Sequence, residues 1–245
     1  MRASLMKVYW VLEKALYPSL RFSQYHYYET LKRVIPQSCD WLDLGCGHQM
    51  FASWMARQEQ ELTQRSRKLV GIDVDWEGLK QNTILSGRVL GNLEALPFHS
   101  TSFDVATANM VVEHLQDPDA VLREVHRVLR PGGLFIFHTP NVRSVATRIS
   151  SYLPQVLKTR LAGLLEGREE TDVFPTCYRM NTMAAITRSA KANGFGVQEL
   201  FSISSSAMTA LLGPVAVIEL LYLRLLETSW LHRYRSNLIG VFRKE

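Results

Sequence analysis

Two patterns of hydrophobic and polar positions alternate along the chain. Short continuous apolar runs are typical of strands that are buried on both faces, and the stretches between several of them repeat apolar positions at helical spacing. This alternation, with short connections, predicts an α/β fold with a doubly wound, mostly parallel sheet. The predicted strands are residues 41–44, 69–73, 88–93, 102–109, 134–138, 195–203 and 236–242.

Carboxylates and glycines collect where the first two predicted strands end. Asp43 lies near the end of the first strand, and Gly45 and Gly47 open the turn that follows, with no β-carbon to obstruct a ligand. Asp73 ends the second strand, where an acid in dinucleotide-type sites accepts hydrogen bonds from ribose hydroxyls. Asp75 is the alternative, but it is better placed to cap the next helix. The pattern predicts a ligand crevice at the carboxyl edge of the first strand.

Residues 1–36 precede the first strand and are predicted to form an N-terminal helical arm of two helices separated by Pro18. The second helix is unusually aromatic. Its rings either pack the arm on the rest of the domain or line a substrate cavity. Tyr25 and Tyr28 are therefore candidate substrate contacts.

Residues 37–245 are predicted to form one domain, whose alternation of strands and helices is interrupted twice. The first interruption, residues 140–181, follows a strand that ends at the crevice, so we expect it to form a helical lid. Asn141, Tyr178 and Arg179 lie near its two ends and are further candidate substrate contacts.

The second interruption, residues 206–232, is predicted to be an apolar helical insertion. Glu219 is the only charged residue from Ser206 to Tyr222, and Pro214 would kink a helix there. The apolar stretch is shorter than the ~20 residues that span a bilayer. Three interpretations remain open for residues 206–222: a core or dimer-facing helix pair, a surface in the membrane interface, or a wall of the substrate pocket.

Composition and charge narrow the classes of partner. The 245 residues are 47% hydrophobic, which is typical of a globular protein, and the formal charge of +5 is modest. The basic residues are spread along the chain, so we expect no nucleic-acid partner. Three cysteines without a C-x-x-C pair argue against disulfides and structural zinc, and no export signal is recognised. We therefore expect a cytoplasmic protein, with peripheral contact to a membrane as an open alternative.

Four stretches together resemble the class I S-adenosylmethionine-dependent methyltransferases, and among them the subgroup that includes the ubiquinone-pathway enzymes. The resemblance covers roughly residues 39–140 and implies a Rossmann-like, seven-stranded sheet with S-adenosylmethionine as cofactor. The glycine turn is shared with dehydrogenases, whereas the later blocks are not. The stretches are Asp43-x-Gly45-x-Gly47, Gly71-Ile72-Asp73, the block from Gly91-Asn92-Leu93 through Leu96-Pro97-Phe98 to Phe103-Asp104, and Leu129-Arg130-Pro131-Gly132-Gly133.

The resemblance also implies roles for single residues. The two glycines would let the backbone approach the methionine part of the cofactor, with Asp43 orienting the turn or the amino group. Asp73, followed by Val74, would hold the ribose hydroxyls. The remaining assignments are Asn92 and Leu93 at the adenine and Asn109 near the sulfonium. Two residues depart from the family pattern: Gln49 stands where a small residue is usual, and Asn92 where an acid is common.

Methyl transfer is an in-line displacement from a sulfonium, so positioning and desolvation of the nucleophile carry much of the rate. A general base helps when the acceptor is a hydroxyl, and His114 and His138 are the candidates. The pair Glu113-His114 resembles one found in metal-assisted members of the superfamily, but without further ligands it predicts no metal site.

The predicted acceptor is a small molecule that is apolar, lipidic or aromatic, and the predicted reaction is O- or C-methylation. The alternative from another class is a non-catalytic module that keeps the cofactor fold for assembly or membrane docking. A dehydrogenase is disfavoured because Met50 occupies the third glycine position of G-x-G-x-x-G.

Overall fold

The computed structural model describes residues 2–152, 175–205 and 214–245. The strands are β1 (Cys39–Leu44), β2 (Ser66–Asp73), β3 (Gly87–Leu90), β4 (Phe103–Asn109), β5 (Leu129–Pro140), β6 (Phe195–Ile203) and β7 (Asn237–Lys244). The α-helices are α1 (Arg2–Leu16), α2 (Ser23–Val34), α3 (Ala56–Thr63), α4 (Trp76–Gln81), α5 (Pro118–Val128), α6 (Val145–Tyr152), α7 (Met183–Ala192) and α8 (Pro214–Leu225). Short 3₁₀ helices cover Ser53–Met55, Val112–His114 and His232–Tyr234.

The strands form one seven-stranded sheet in the order β3-β2-β1-β4-β5-β7-β6. The pairs β1–β2, β1–β4, β2–β3 and β4–β5 are parallel. The predicted Rossmann-like, doubly wound fold is therefore confirmed. The strand order reverses at β1, whose neighbours are β2 on one side and β4 on the other. In such sheets ligands bind beyond the carboxyl ends of the strands at this reversal.

The core is built from the apolar runs that predicted the strands. All six residues of β1 are buried, because helices cover both faces of a parallel sheet. Phenylalanines fill the space around β5 and β7, where the rings of Phe137 and Phe242 lie 5.0 Å apart, edge to face. The parallel pairings of β1 with β2 and with β4 align the carboxyl ends of these three strands.

Helix ends follow the predicted signals. The carboxylate of Asp75 accepts hydrogen bonds from the backbone of Glu77 and Gly78, which caps α4 as expected. Asp117 caps α5, with Pro118 in its first turn, and Thr182 caps α7.

Several element boundaries differ from the predictions. β3 ends at Leu90 rather than Leu93, because the Asn92 side chain accepts a hydrogen bond from Glu94 N and turns the chain. After the glycine turn the chain forms a 3₁₀ turn, Ser53–Met55, that leads directly into α3. Residues 130–133, part of the last stretch of the family resemblance, lie within β5, where the register with β4 shifts between Phe103 and Val105.

The chain forms two compact units. The first contains the described residues of 1–23, 141–175 and 202–237, and the second contains those of 24–140, 176–201 and 238–245. In the first unit α1 packs on α8 through a cluster that includes Tyr9, Leu220 and Leu223. The second unit contains most of the sheet, and α2 belongs to it apart from Ser23. Much of the predicted lid and of the apolar insertion, namely residues 153–174 and 206–213, lies outside the described residues.

Candidate functional site

The glycine turn after β1 is held to β2 by its backbone. Gly45 N donates to Ile72 O at 2.8 Å. Gly45 has φ +61°, and an added β-carbon would lie 2.6 Å from a methyl carbon of Val111. Glycine is therefore required here by the positive φ and by the contact with Val111, without any need for a ligand.

Gly47 differs from Gly45 in what surrounds it. Its φ of +47° also favours glycine, but no atom of the described residues lies within 4 Å of the position of an added β-carbon. Its N–H donates to Asp73 Oδ2 at 2.8 Å. The turn thus presents backbone to open space at the carboxyl edge of β1, a cradle that a side chain would fill.

Asp73 ends β2 and joins the turn to the next loop. One carboxylate oxygen accepts from Gly47 N at 2.8 Å and the other from Asp75 N at 2.9 Å. Each oxygen has two lone pairs, so the carboxylate keeps acceptor capacity for a ligand hydroxyl. Asp75, the alternative candidate, uses both oxygens to cap α4.

Asp43 lies buried at the centre of the sheet, in a chain of side-chain hydrogen bonds. Trp41 Nε1 donates to Thr107 Oγ1 at 2.7 Å, and the Thr107 hydroxyl donates to Asp43 Oδ1 at 2.6 Å. Burial raises the pKa of Asp43 to about 7, and the charges of Glu59 and Asp73 add to the rise while the Thr107 hydrogen bond opposes it.

The surroundings of the turn are rich in carboxylates. Glu59, on α3, is buried and accepts from the backbone N–H groups of Met50 and Phe51, which fixes the loop that follows the turn. Together with Asp43 and Asp73 it makes the region electronegative, and this favours a cationic ligand.

Asn109, at the end of β4, has both ends of its amide in use. Its Nδ2 donates to Gln24 Oε1 at 2.9 Å and to Met50 O at 2.7 Å, so Oδ1 is the acceptor that faces His138 Nδ1 at 2.8 Å. His138 therefore carries its proton on Nδ1 and a lone pair on Nε2.

His138 is fully buried and stacks on Tyr27, with ring centroids 5.5 Å apart. Burial, with a smaller contribution from His26, lowers its pKa to about 3, so the ring is neutral at pH 7. Its Nε2 finds no hydrogen-bond partner among the described residues. The side chain thus has the properties of a hydrogen-bond acceptor rather than of a general base matched to neutral pH.

The other histidine candidate, His114, lies in the 3₁₀ turn after β4 and is partly exposed. Its Nε2 is 3.9 Å from Glu113 Oε1. Glu113 is buried and joins two segments, because its carboxylate accepts from Thr139 Oγ1 at 2.9 Å and its backbone oxygen accepts from Cys177 N and Tyr178 N. Across the described ranges, no group of three or more His, Cys, Asp or Glu residues could hold a metal ion.

The residues expected at the adenine and ribose lie near the ends of β2 and β3. Asn92 is exposed, and its Oδ1 accepts from Glu94 N at 3.0 Å. Leu93 packs against the main core, whereas Val74 is largely exposed. The exposed Trp76 ring, with Lys80 Nζ 5.9 Å from its centroid, offers a further apolar surface beside them.

Three candidate substrate contacts of the second unit have separate surroundings. Tyr25 packs on Trp54 at 5.3 Å, whereas the Tyr28 hydroxyl donates to Glu61 Oε2 at 2.9 Å and ties α2 to α3. Arg179 lines an open, mainly polar cavity with Glu94, Asp117 and other polar side chains of the second unit.

The remaining two candidates lie in strained or structural positions. Tyr178 adopts φ +51°, and burial raises the pKa of its phenol. Asn141 belongs to the first unit, where its Nδ2 donates to the backbone oxygens of Arg233 and Arg235. Their contacts with a substrate stay predictions.

Sequence reasoning missed three residues that shape this site, namely Glu59, Thr107 and Gln24. A buried acid inside a helical pattern is a recognisable signal, so Glu59 could have been singled out. Thr107 pairs with Asp43 only through the register of β1 and β4, and Gln24 meets Asn109 across 85 residues of sequence. Neither hydrogen bond can be predicted from the residues that neighbour it in the sequence.

Comparison with known proteins finds a match over the central part of the chain. Residues 42–137 match a family model described as a methyltransferase domain. The fatty-acid O-methyltransferase of Mycolicibacterium smegmatis is 34% identical over 123 residues, which cover 48% of this chain and 43% of the relative. Malonyl-[acyl-carrier protein] O-methyltransferase 1 of Coxiella burnetii is 34% identical over 80 residues, covering 33% and 28%. The chain spans less than half the length of the first curated relatives it matches.

Solved structures extend the likeness to nearly the whole chain. The S-adenosylmethionine-dependent methyltransferase of Mesorhizobium loti matches with a TM-score of 0.56 at 19% identity, over 88% of this chain and 96% of that one. At this identity the match shows the fold alone. The ubiquinone-pathway subgroup stays a prediction. Residues 42–137 of this chain therefore match a methyltransferase domain, in agreement with the resemblance that the sequence motifs carry.

Proposed function

We propose that this protein transfers a methyl group from S-adenosylmethionine to a small-molecule acceptor that is apolar, lipidic or aromatic, by O- or C-methylation. The observation that carries the proposal is the open space above Gly47, next to the carboxylate of Asp73, at the carboxyl edge of β1. A cofactor whose backbone contacts need a glycine without a β-carbon fits this cradle.

The residues of the site suit a cationic nucleoside ligand. Asp73 has acceptor capacity for ribose hydroxyls, and Asp43 would pair with a positive charge near the turn. Val74, just after β2, and Asn92 and Leu93, just after β3, would meet the ribose and the base. When bound, S-adenosylmethionine supplies an electrophilic methyl group on a sulfonium; the protein orients the acceptor and excludes water.

For the acceptor, two observations support an apolar molecule. One relative is a fatty-acid O-methyltransferase, and Tyr25 and Trp54 present aromatic surface at the start of α2. His114 is the better candidate for a general base, because it is partly exposed next to the end of β4. His138 is fully buried, so its Nε2 would instead accept a hydrogen bond from a bound water.

Thermal unfolding with added ligands tests the cofactor. We expect S-adenosylmethionine and S-adenosylhomocysteine to raise the melting temperature and NAD to leave it unchanged. A ligand at one hundred times its Kd adds ~2.7 kcal/mol to the free energy of unfolding. Gly47→Val should fold but show no shift with either ligand, because the valine branches occupy the cradle.

Three results would contradict the proposal: no shift with any ligand, a shift with NAD alone, or a normal shift for Gly47→Val. The first would favour a non-catalytic module that keeps the fold for assembly or docking. The acceptor is identified separately, by mass spectrometry of small molecules that co-purify with the protein and by transfer of a labelled methyl group to each of them.

A further inference from the structure

The first compact unit carries the positive charge of the chain. Its described residues include nine basic and three acidic side chains, a net charge of +6 against +5 for the whole chain. The rest of the chain is therefore close to neutral. The basic residues are Arg2, Lys7, Lys14, Arg21, Arg143, Arg148, Arg224, Arg233 and Arg235.

The three acids in this part of the unit do little to offset the charge at its surface. Glu13 is buried, and burial raises the pKa of its carboxyl. Glu227 forms an ion pair with Arg235 at 2.7 Å. Glu219 is half-buried. The described residues of the unit therefore carry an excess of basic over acidic side chains.

The same unit exposes large apolar side chains on α8. Ala216, Leu220 and Leu223 face inward, toward α1. The opposite face of the helix is also apolar and is exposed to solvent, with Ile218 at 68% exposure. The exposed residues of that face are Val215, Ile218, Leu221 and Leu225. A soluble helix normally carries polar residues on this face, so these positions indicate a partner.

α1 and α6 also expose apolar side chains, and these lie next to basic residues. On α1, Val8 and Val11 are exposed between Lys7 and Lys14. On α6, the exposed Val145 and Ile149 flank Arg148. The amide of Val145 is hydrogen-bonded to the phenol of Tyr222 on α8, so the start of α6 adjoins that helix. Trp230, 69% exposed in the loop after α8, adds an aromatic side chain of the kind enriched at membrane interfaces.

We propose that the exposed face of α1, α6 and α8 docks on an anionic lipid surface, with the apolar side chains in the interface and the basic side chains at the headgroups. Among the described residues, no helix is long and apolar enough to cross a membrane. The mode of binding is therefore interfacial, by apolar burial together with attraction of basic residues to anionic lipids. Basic side chains lie next to the exposed apolar residues of α1 and α6, and this favours an anionic surface over a dimer interface, where two such faces would repel each other.

Sedimentation of the full chain with vesicles tests the proposal. We expect strong binding to vesicles of phosphatidylcholine with phosphatidylglycerol, weak binding to phosphatidylcholine alone, and loss of binding at high salt. Lys7→Gln with Lys14→Gln should weaken binding roughly 30-fold, since each basic residue near such a surface contributes ~1 kcal/mol. Ile218→Ser with Leu221→Ser should weaken it at least about tenfold by removing apolar burial.

Matched variants in the second unit serve as controls. Lys68→Gln with Lys191→Gln removes the same charge, and Leu90→Ser removes an equally exposed apolar side chain; both should bind vesicles like the wild type. Melting temperatures establish that every variant is folded. The proposal is wrong if the wild type does not bind, binds both vesicle types equally, or loses binding as much in the controls as in the α1 and α8 variants.

Light scattering tests whether a second copy of the chain, rather than a membrane, covers this face. A wild-type dimer that Ile218→Ser with Leu221→Ser converts to a monomer, without vesicle binding by either form, would assign the face to a second copy of the chain and overturn the proposal. Neither measurement depends on the cofactor, so the membrane proposal and the proposed activity can fail independently.

Discussion

Replacing Asp43 by Asn should stabilise the protein while weakening its cofactor site. Asp43 is buried, and its pKa of about 7 compares with an ordinary value of 3.8. The difference is about 3 pKa units, or ~4 kcal/mol at ~1.4 kcal/mol per unit. Asn keeps an oxygen that can accept the hydrogen bond from Thr107, but it has no charge to bury.

The sign of the effect depends on pH. The folded protein holds the Asp43 proton more tightly than the unfolded chain does, so ionising this group costs stability. The cost is absent below pH 3.8, grows as the pH rises, and is complete above about pH 7. The free energy of unfolding of Asp43→Asn should therefore exceed that of the wild type by up to ~4 kcal/mol near pH 8, and by ~1–2 kcal/mol near pH 5.

Urea unfolding at both pH values measures the difference. Asp40→Asn, in the same strand, is the matched control. Burial raises the pKa of Asp40, but ion pairs with Arg130 and Arg67 outweigh burial and lower it, so its replacement should destabilise the protein near pH 8. A stability gain for Asp43→Asn that is equal at both pH values would refute the buried-charge argument.

The same variant tests the proposed cofactor role of Asp43. A bound cation near the turn would stabilise its ionised form, so the wild type should release a proton on binding S-adenosylmethionine near pH 7. Titration calorimetry in buffers of different ionisation enthalpy detects that proton. Asp43→Asn should release none and bind ~1.5–3 kcal/mol more weakly. An unchanged affinity of Asp43→Asn for S-adenosylmethionine would show that Asp43 does not contribute to cofactor binding.

Three further predictions concern single positions. Gly45→Ala should destabilise the fold, because of its positive φ and the 2.6 Å approach to Val111, and adding Val111→Ala should restore part of the loss in urea unfolding. Asp73→Ala should weaken S-adenosylmethionine binding by ~1.5–3 kcal/mol in calorimetric titration; wild-type affinity in a folded variant would move the assignment to Asp75. His138→Gln should reduce the loss of stability that acid causes, because the unfolded chain takes up a proton at His138 between about pH 6.5 and about pH 3 and the folded state does not.

The sequence predicted the features of this fold that have local causes. The strand runs, the cap at Asp75 and the glycine turn each depend on a few neighbouring residues, and the cap and the turn lie where they were expected. The shortened end of β3 is also local, since one Asn92 hydrogen bond produces it. The periodicity of the apolar run alone extended that strand too far.

What the sequence did not predict depends on register and burial. The properties of Asp43 follow from Thr107 on the neighbouring strand, 64 residues away, and from the absence of water around it. The roles of the two histidine candidates likewise could not be distinguished from the sequence. His114 and His138 both follow or end a strand, and only the contacts of Asn109 with Gln24 and Met50 fix the proton position in His138.

Asp43 and His138 together make a stronger test than either alone. Between about pH 4 and pH 6.5 the folded state binds a proton at Asp43 that the unfolded chain releases, while the unfolded chain binds a proton at His138 that the folded state excludes. The two linkages have opposite slopes of ~1.4 kcal/mol per pH unit, so they cancel in the wild type. In this range stability should rise with pH in Asp43→Asn, fall in His138→Gln, and regain the wild-type slope in the double variant. Equal slopes in all four proteins would show that burial shifts the pKa of neither side chain.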